Sequence, residues 1–366
     1  MASSPPRWIW FALGVLLFLA FFVSISGILL PFVVGLAVAY LLDPVADRME
    51  SLNIPRWLAT SIAIVVFFGL MIGVFIAIAP MLRDQVVGFI EALPVYIAKV
   101  RPLVMGLIHE AGGTERAQSL VDQSSGKLME WIAAHMGQVL ASGIALFNVF
   151  TLILISPVVA FYLLRDWDNI VAHMKTLLPR QHLATIEALL SDMDYALSGF
   201  VRGQFLVCMA LAVLYAFGWS LLGLNYALVL GLIAGLLAFV PLAGPFFASA
   251  LAVLVALGQF GTDWVKVGLV YVVFVIVQGI EGSVLTPNLI GNRVGLHPVW
   301  VIFSIFAGGE LMGVLGIFLA VPVAAVVAVL SRWLIQQYLH SRLYDDGTAP
   351  DAAPITTAAA KEEQGQ

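Results

Sequence analysis

Thirty-five consecutive residues, 8–42, carry no charged side chain, and this is the feature that most constrains what the chain can fold into. As a helix that stretch would be about 50 Å long, whereas about 20 apolar residues cross the hydrocarbon core of a bilayer. Ser24, Ile25, Ser26 and Gly27, followed by Pro31, mark a natural break in it. Two helices, over residues 8–25 and 28–42, are therefore expected. Comparable apolar runs recur at 58–82, 143–164, 203–222, 226–258, 264–286 and 298–333. Only 11% of the chain is charged and 61% is hydrophobic, where soluble domains are about a quarter charged, so lipid has to solvate most of it. The predicted fold is all-α: a polytopic transmembrane helix bundle of about eight spans, two of them broken or re-entrant, plus a small helical extramembrane insert.

Four regions follow. Residues 1–82 hold the N-terminal transmembrane helices. Residues 83–142 carry a charge every few positions, with Val86, Phe89, Ile90, Leu93 and Ile97 at helical spacing between them. This is the expected extracytoplasmic insert, with Gly112-Gly113-Thr114 as its turn. Residues 143–344 are the expected transmembrane transport core, including a polar, amphipathic cytoplasmic segment over 165–202. The tail, 345–366, has the composition of a disordered cytoplasmic segment. The N-terminal apolar stretch is far longer than a signal-peptide core and is expected to remain as an uncleaved membrane helix.

Positive charge sets the orientation. With the N-terminus in the cytoplasm, Arg7, Arg48, Arg56, Arg165, Lys175, Arg180, Arg202, Lys266, Arg332 and Arg342 fall inside, and only Arg293 lies outside in a short loop. Both termini are expected to be cytoplasmic. Segments 226–258 and 298–333 are each too long for an untilted span and broken near the middle. Each is either a kinked crossing or a re-entrant hairpin. If both are hairpins, only Lys266 and Arg293 exchange sides.

Several function classes lack their signatures. There is no clustered basic footprint for nucleic acid and no His-Glu-x-x-His. Ser125-Gly126-Lys127-Leu128 lacks both the first glycine and the Ser/Thr of a phosphate loop. No enzymatic activity and no cofactor are expected. Cys208, the single cysteine, reads as a small buried hydrophobe.

Ionisable residues inside a membrane are costly and are functional candidates by default. Glu310 is the one charge between Leu296 and Ser331, set in Ala307-Gly308-Gly309-Glu310-Leu311-Met312-Gly313. Desolvation favours the neutral form of a carboxylate, so such a group can exchange a proton. The alternative is a carboxylate that hydrogen-bonds across a helix interface or lies at the lipid surface. Glu281, with Gln278 one turn away, is either a pathway residue or a packing carboxylate. Arg202 and Gln204 open the fifth span, and Arg202 is either an anion or carboxylate partner or a snorkelling anchor. Paired Gly/Pro interruptions are the best sequence pointer to a transporter binding site. Pro241, Gly244 and Pro245 interrupt one segment, and Gly308, Gly309, Gly313, Gly316 and Pro322 the other. The Gly-x-x-x-Gly pairs 69/73, 231/235 and 309/313 fit close helix packing, and such small-residue faces are compatible with a homo-oligomer.

A series of motifs then carries a resemblance. It begins with Leu42-Asp43-Pro44, Ile54-Pro55-Arg56, Gly199 to Gln204, and Phe239-Val240-Pro241-Leu242-Ala243-Gly244-Pro245. It continues with the run from Glu281 to Pro298 that contains Thr286-Pro287-Asn288-Leu289-Ile290-Gly291. Gly308-Gly309 and Ala320-Val321-Pro322-Val323-Ala324-Ala325 complete it. In this order the motifs resemble the autoinducer-2 exporter family of bacterial permeases, over nearly the whole chain except 83–142 and the tail. Leu242-Ala243 stands where a Tyr-Ile-type pair is more usual, and Asn288 and Asn292 stand where lysines are common. The resemblance implies a multi-pass inner-membrane protein of about eight spans. Some members are linked to export of the signal autoinducer-2, others to sodium/proton exchange.

The expected function is secondary transport: export of a small solute by alternating access, with proton or sodium coupling. Glu310 would couple, Gln278 and Glu281 would line the path, and Arg202 would guard its cytoplasmic end. Sodium/proton antiport through the same carboxylates is the alternative. A non-transporting membrane scaffold that binds a periplasmic partner is the reading of another class. The expected partners are the bilayer and a small molecule or ion.

Overall fold

The computed structural model describes residues 23–110, 143–241, 243–291 and 295–341, with a few isolated positions besides. Most of the first expected span, the Gly112-Gly113-Thr114 turn, residues 292–294 and the tail lie outside the described residues. The described chain is helical throughout: α1 Ser26–Glu50, α2 Arg56–Glu110, α3 Gly143–Leu177, α4 Leu183–Leu221, α5 Ala227–Leu237, α6 Ala243–Phe260, α7 Trp264–Ile280, α8 Thr286–Leu289 and α9 Pro298–Leu339. Five helical segments among the described residues are long and apolar enough to cross a membrane. Their outer faces are apolar: Val65, Phe75 and Phe306 are 70%, 65% and 76% exposed. In water those faces would be a liability; in lipid they are the solvent contact. The molecule is a polytopic transmembrane helix bundle.

The helices form two groups. In the first, α1 packs along α3, with Gly35 against Val159 and the Ser156 hydroxyl donating to the Pro31 carbonyl at 3.1 Å. Val38, Ala39, Leu42, Ala46, Ala63, Ile64, Ala160 and Leu164 close this small core. The expected break before α1 is present as a turn at Ile25. In the second group, α4 is the central column. Its face Gln204, Val207, Leu211, Tyr215, Trp219 recurs at helical spacing and is buried along its length.

α2 differs from the sequence reading. It runs unbroken across the expected boundary at residue 83, for 55 residues or about 80 Å. A bilayer core absorbs only about 30 Å of that. Its second half forms an arm that docks Phe89, Tyr96, Ile97 and Val100 back onto the bundle. Pro80, Pro94 and Pro102 lie within it without ending it.

The two long interrupted segments are helical hairpins. The first, α5–α6, begins and ends at one place: Gln259 accepts from the Asn225 amide at 2.7 Å and donates to the Gly223 carbonyl at 2.8 Å. Nearer the tip, Gly244 lies against the Leu237 carbonyl. Both pairings are symmetric about Pro241. α5 has 11 residues, about 16 Å, which is too short to cross. The second hairpin is α9 itself, which reverses at Gly313 (φ 59°, ψ −137°). Gly308 packs on Gly316, Gly309 on Ile317, and Arg332 donates to the Gly295 carbonyl at 3.4 Å, all symmetric about residue 313. A side chain on Gly316 would place its Cβ 1.8 Å from the Gly308 oxygen, so the two arms touch backbone to backbone. Pro298 starts the first arm, where a proline costs no hydrogen bond, and the His297 ring caps the Val299 amide. Pro322 sits inside the second arm without interrupting it; Gly313 alone makes the reversal.

The hairpins enter from opposite ends. The mouth of the first lies beside the Leu221 end of α4, through Gly223 and Leu224. Gly203, near the other end of the α4 span, packs on Leu289 and Ile290, which lead towards α9. The tips meet: the Phe239 and Phe318 rings are 4.7 Å apart, and Phe239 also sits edge-on to Phe200 of α4.

Candidate functional site

The first group of helices ends in a charged cluster. Arg56, at the start of α2, donates to Asp43 at 3.1 Å, to Glu50 at 3.0 Å, to Asp47, and from Nε to the Leu164 carbonyl at 3.2 Å. Arg202 of α4 reaches the same Asp43 at 3.3 Å and donates to the Tyr40 carbonyl at 2.7 Å. The Tyr40 hydroxyl donates to Asp194 at 3.1 Å. One aspartate thus receives a guanidinium from each helix group. Arg202 is a carboxylate partner here, tying α4 to α1.

A second polar line runs up the buried face of α4. Gln204, 4% exposed, donates to the Ala238 carbonyl at 2.8 Å and to Cys208 Sγ at 3.7 Å. Ala238 ends α5, where the turn at Pro241 frees a carbonyl that lipid cannot satisfy. Gln204 supplies the missing donor and fixes the tip of the first hairpin to α4. Three turns further, the Tyr215 hydroxyl donates to Gln278 Oε1 at 3.2 Å, and Gln278 Nε2 donates to Glu281 Oε2 at 2.7 Å. Tyr215 is held between Trp219 and Phe274, with ring centroids at 4.9 and 6.2 Å.

Glu281 opens a π-helical turn, Glu281–Leu285, between α7 and α8. Such turns concentrate at functional sites because they rotate a side chain out of the regular helical register. One Glu281 oxygen is fixed by Gln278. The other has no hydrogen-bond partner among the described residues. A half-buried carboxylate with one oxygen held and one open can accept a proton or a small cation.

The structure therefore joins Gln278 and Glu281, and sets Gln204 on the same α4 face. It does not bring Glu310 to them. Glu310 lies three residues before the reversal of the second hairpin, exposed, with no ion pair or hydrogen bond to a described residue. Pro241 makes the turn of the first hairpin, Gly244 and Pro245 lie in the first turn of α6, and Gly308 and Gly309 permit the arms of the second hairpin to touch. Three residues escaped the sequence reading in their roles. Tyr215 looked like one more aromatic in an apolar run. Tyr40 and Asp194 gave no signal that they meet across 154 residues.

A helical bundle with two opposed membrane hairpins, and a polar line beside their tips, defines a multi-pass membrane transporter of the permease class. The chain belongs to the AI-2E family: the family model described as AI-2E family transporter matches residues 9–335. Among its relatives is the "Putative transport protein YrrI" of Bacillus subtilis, 31% identical over 315 residues, 85% of this chain and 87% of the relative. A second Bacillus subtilis protein, "Putative transport protein YueF", is 29% identical over 85% of each chain. The "Putative permease PerM" of Escherichia coli is 28% identical over 84% of this chain and 88% of its own length.

Proposed function

We propose that this protein is a secondary transporter that exports a small polar solute from the bacterial cytoplasm by alternating access. In this reading it lies in the inner membrane with both termini cytoplasmic. The observation that carries the reading is the meeting of the two hairpin tips at Phe239 and Phe318, each hairpin having entered from the opposite end. Two hairpins whose tips touch from opposite sides form a thin barrier, and a shift of one relative to the other opens a path to one side. Half-helices near the midplane are also where transporters place substrate and coupling ions.

Glu281 is the coupling group in this scheme. Its open oxygen takes up a proton or cation, and Gln278, oriented by Tyr215, holds the other oxygen in place. Gln204 keeps the first tip closed on α4, and Arg202 holds the cytoplasmic ends of the two helix groups together. Glu310 rides on the tip of the second hairpin and meets solute or water when that hairpin moves. Autoinducer-2 is the first solute to test, because the family takes its name from that export. The open Glu281 oxygen also favours a second reading, sodium/proton antiport through the same carboxylate.

Everted vesicles that hold equal amounts of wild type, Glu281→Gln and Glu310→Gln separate these readings. Sodium-induced collapse of a proton gradient in wild type, abolished by Glu281→Gln, makes antiport the activity. If wild type ignores sodium but accumulates autoinducer-2, with loss in Glu281→Gln, solute export stands. Wild-type vesicles that do neither remove both activities, and transport unimpaired in Glu281→Gln removes the coupling role.

A further inference from the structure

A cavity of about 600 Å³ lies away from the hairpin tips. It is a groove between the first half of α4 and the last third of α9. Thr185, Asp192 and Tyr195 stand on the α4 wall, and Arg332, Trp333 and Gln336 on the α9 wall. The positions recur every three or four residues on both helices, so two complete helix faces build the groove. Its volume is in the range of small-molecule sites.

The walls carry one cation and one anion that do not pair with each other. Asp192 makes no ion pair or hydrogen bond with a described residue. Arg332 spends one Nη1 contact, at 3.4 Å, on the Gly295 carbonyl, and its remaining donors have no partner among the described residues. Two opposite charges in one groove, left apart, match a ligand that carries both. The groove also sits at a defined depth. Arg332 is the first charged residue after the apolar run of α9, and Tyr195 stands two turns before Arg202, the last charge ahead of the apolar run of α4. Trp and Tyr mark the same level, that of the lipid headgroups.

We propose that this groove binds a zwitterion built of a primary ammonium and an oxyanion, the chemistry of phosphoethanolamine, whether as a lipid headgroup or as the free compound. The planar Arg332 guanidinium takes two phosphate oxygens. Asp192 accepts the ammonium N–H groups, and the Thr185 hydroxyl and Gln336 amide complete the polar lining. A purely anionic headgroup meets the Asp192 carboxylate and is disfavoured. A quaternary ammonium has no N–H to donate. Specificity thus rests on a repelling group as much as on an attracting one. Because α4 and the long arm of the second hairpin form opposite walls, a bound headgroup ties that hairpin to α4.

The test is binding of the full chain, purified in detergent, to phosphatidylethanolamine, phosphatidylglycerol and phosphatidylcholine, read by native mass spectrometry. Wild type is expected to hold phosphatidylethanolamine at least tenfold more tightly than either of the others. Arg332→Gln weakens both phosphatidylethanolamine and phosphatidylglycerol about tenfold, while Asp192→Asn erases the preference between them and Asp192→Glu restores it. Equal binding of the three lipids by wild type overturns the proposal without recourse to any variant, as does a preference that survives Asp192→Asn. Displacement of the lipid by millimolar glycerophosphoethanolamine assigns the site to the free zwitterion; resistance to it assigns the site to the membrane lipid.

Discussion

The two hairpins solve one problem with different chemistry. The first turns at Pro241 and is tied at both ends: Gln204 donates to its tip, and Gln259 closes its mouth on Gly223 and Asn225. The α2 arm clamps it further. Tyr96 packs on Gly258, Lys99 donates to the Gly258 carbonyl at 3.4 Å, and Tyr226 packs on Gly88 and Phe89. Tyr226 even holds a left-handed conformation (φ 60°), which a bulky residue keeps only where its surroundings enforce it. The second hairpin turns at a single glycine, has an exposed tip, and is tied at its mouth by Arg332 alone among the described side chains. Backbone contact between Gly308 and Gly316 joins its arms, and its second arm buries Leu315, Ala320, Val321, Ala325 and Val329 without a side-chain hydrogen bond to another helix among the described residues. A hairpin pinned by hydrogen bonds opposite one held by apolar packing is what the proposed alternating access calls for, with the second hairpin as its moving part.

Substitutions can break this comparison or sharpen it. The largest effect is expected from Gly316→Val, whose Cβ falls 1.8 Å from a backbone oxygen that cannot rotate away. Its cost exceeds the about 1–3 kcal/mol of ordinary overpacking, and size-exclusion chromatography should show loss of the folded protein. Gly244→Val, at 2.0 Å from the Leu237 oxygen, should behave alike in the first hairpin. Next comes Gln204→Ala, which leaves the Ala238 carbonyl buried and unsatisfied. About 1–3 kcal/mol of stability should be lost, seen as a lower Tm in a thermal scan. Gly313→Ala strains a positive φ and should cost about 1–2 kcal/mol, but transport should fall much further than Tm if the hinge moves. Equal falls would mean that both hairpins are static. Gln259→Ala, at an exposed mouth where water can substitute, should cost about 1 kcal/mol or less and leave transport unchanged.

Much of this was legible in the sequence. Scarce charge and long apolar runs establish the membrane bundle, and the breaks at Pro241–Pro245 and Gly308–Gly313 are where the chain turns. Whether a broken apolar segment crosses or returns was not legible, because both states show lipid the same residues. The answer lies in contacts such as Asn225 with Gln259, 34 residues apart. Motif residues acquired reasons only in three dimensions: Asp43 and Arg56 pair across the α1–α2 turn, and Arg202 joins Asp43 from 159 residues away. Glu310 looked the sharpest candidate because it interrupts the longest apolar run. Glycines on both sides place it at a hairpin tip, where it is exposed, whereas Glu281 looked like a helix end and proved to open a π turn.

Sidedness of the hairpin mouths tests the central claim most directly. In a Cys208→Ser background, single cysteines at Asn225 and Thr262 flank the first hairpin, and at His297 and His340 the second. Labelling with a membrane-impermeant maleimide in intact cells and in everted vesicles reads the side of each. The two-hairpin fold predicts that 225 and 262 label together from one side, and 297 and 340 together from the other. If 225 and 262 label from opposite sides, the segment between them crosses the membrane and the account is contradicted.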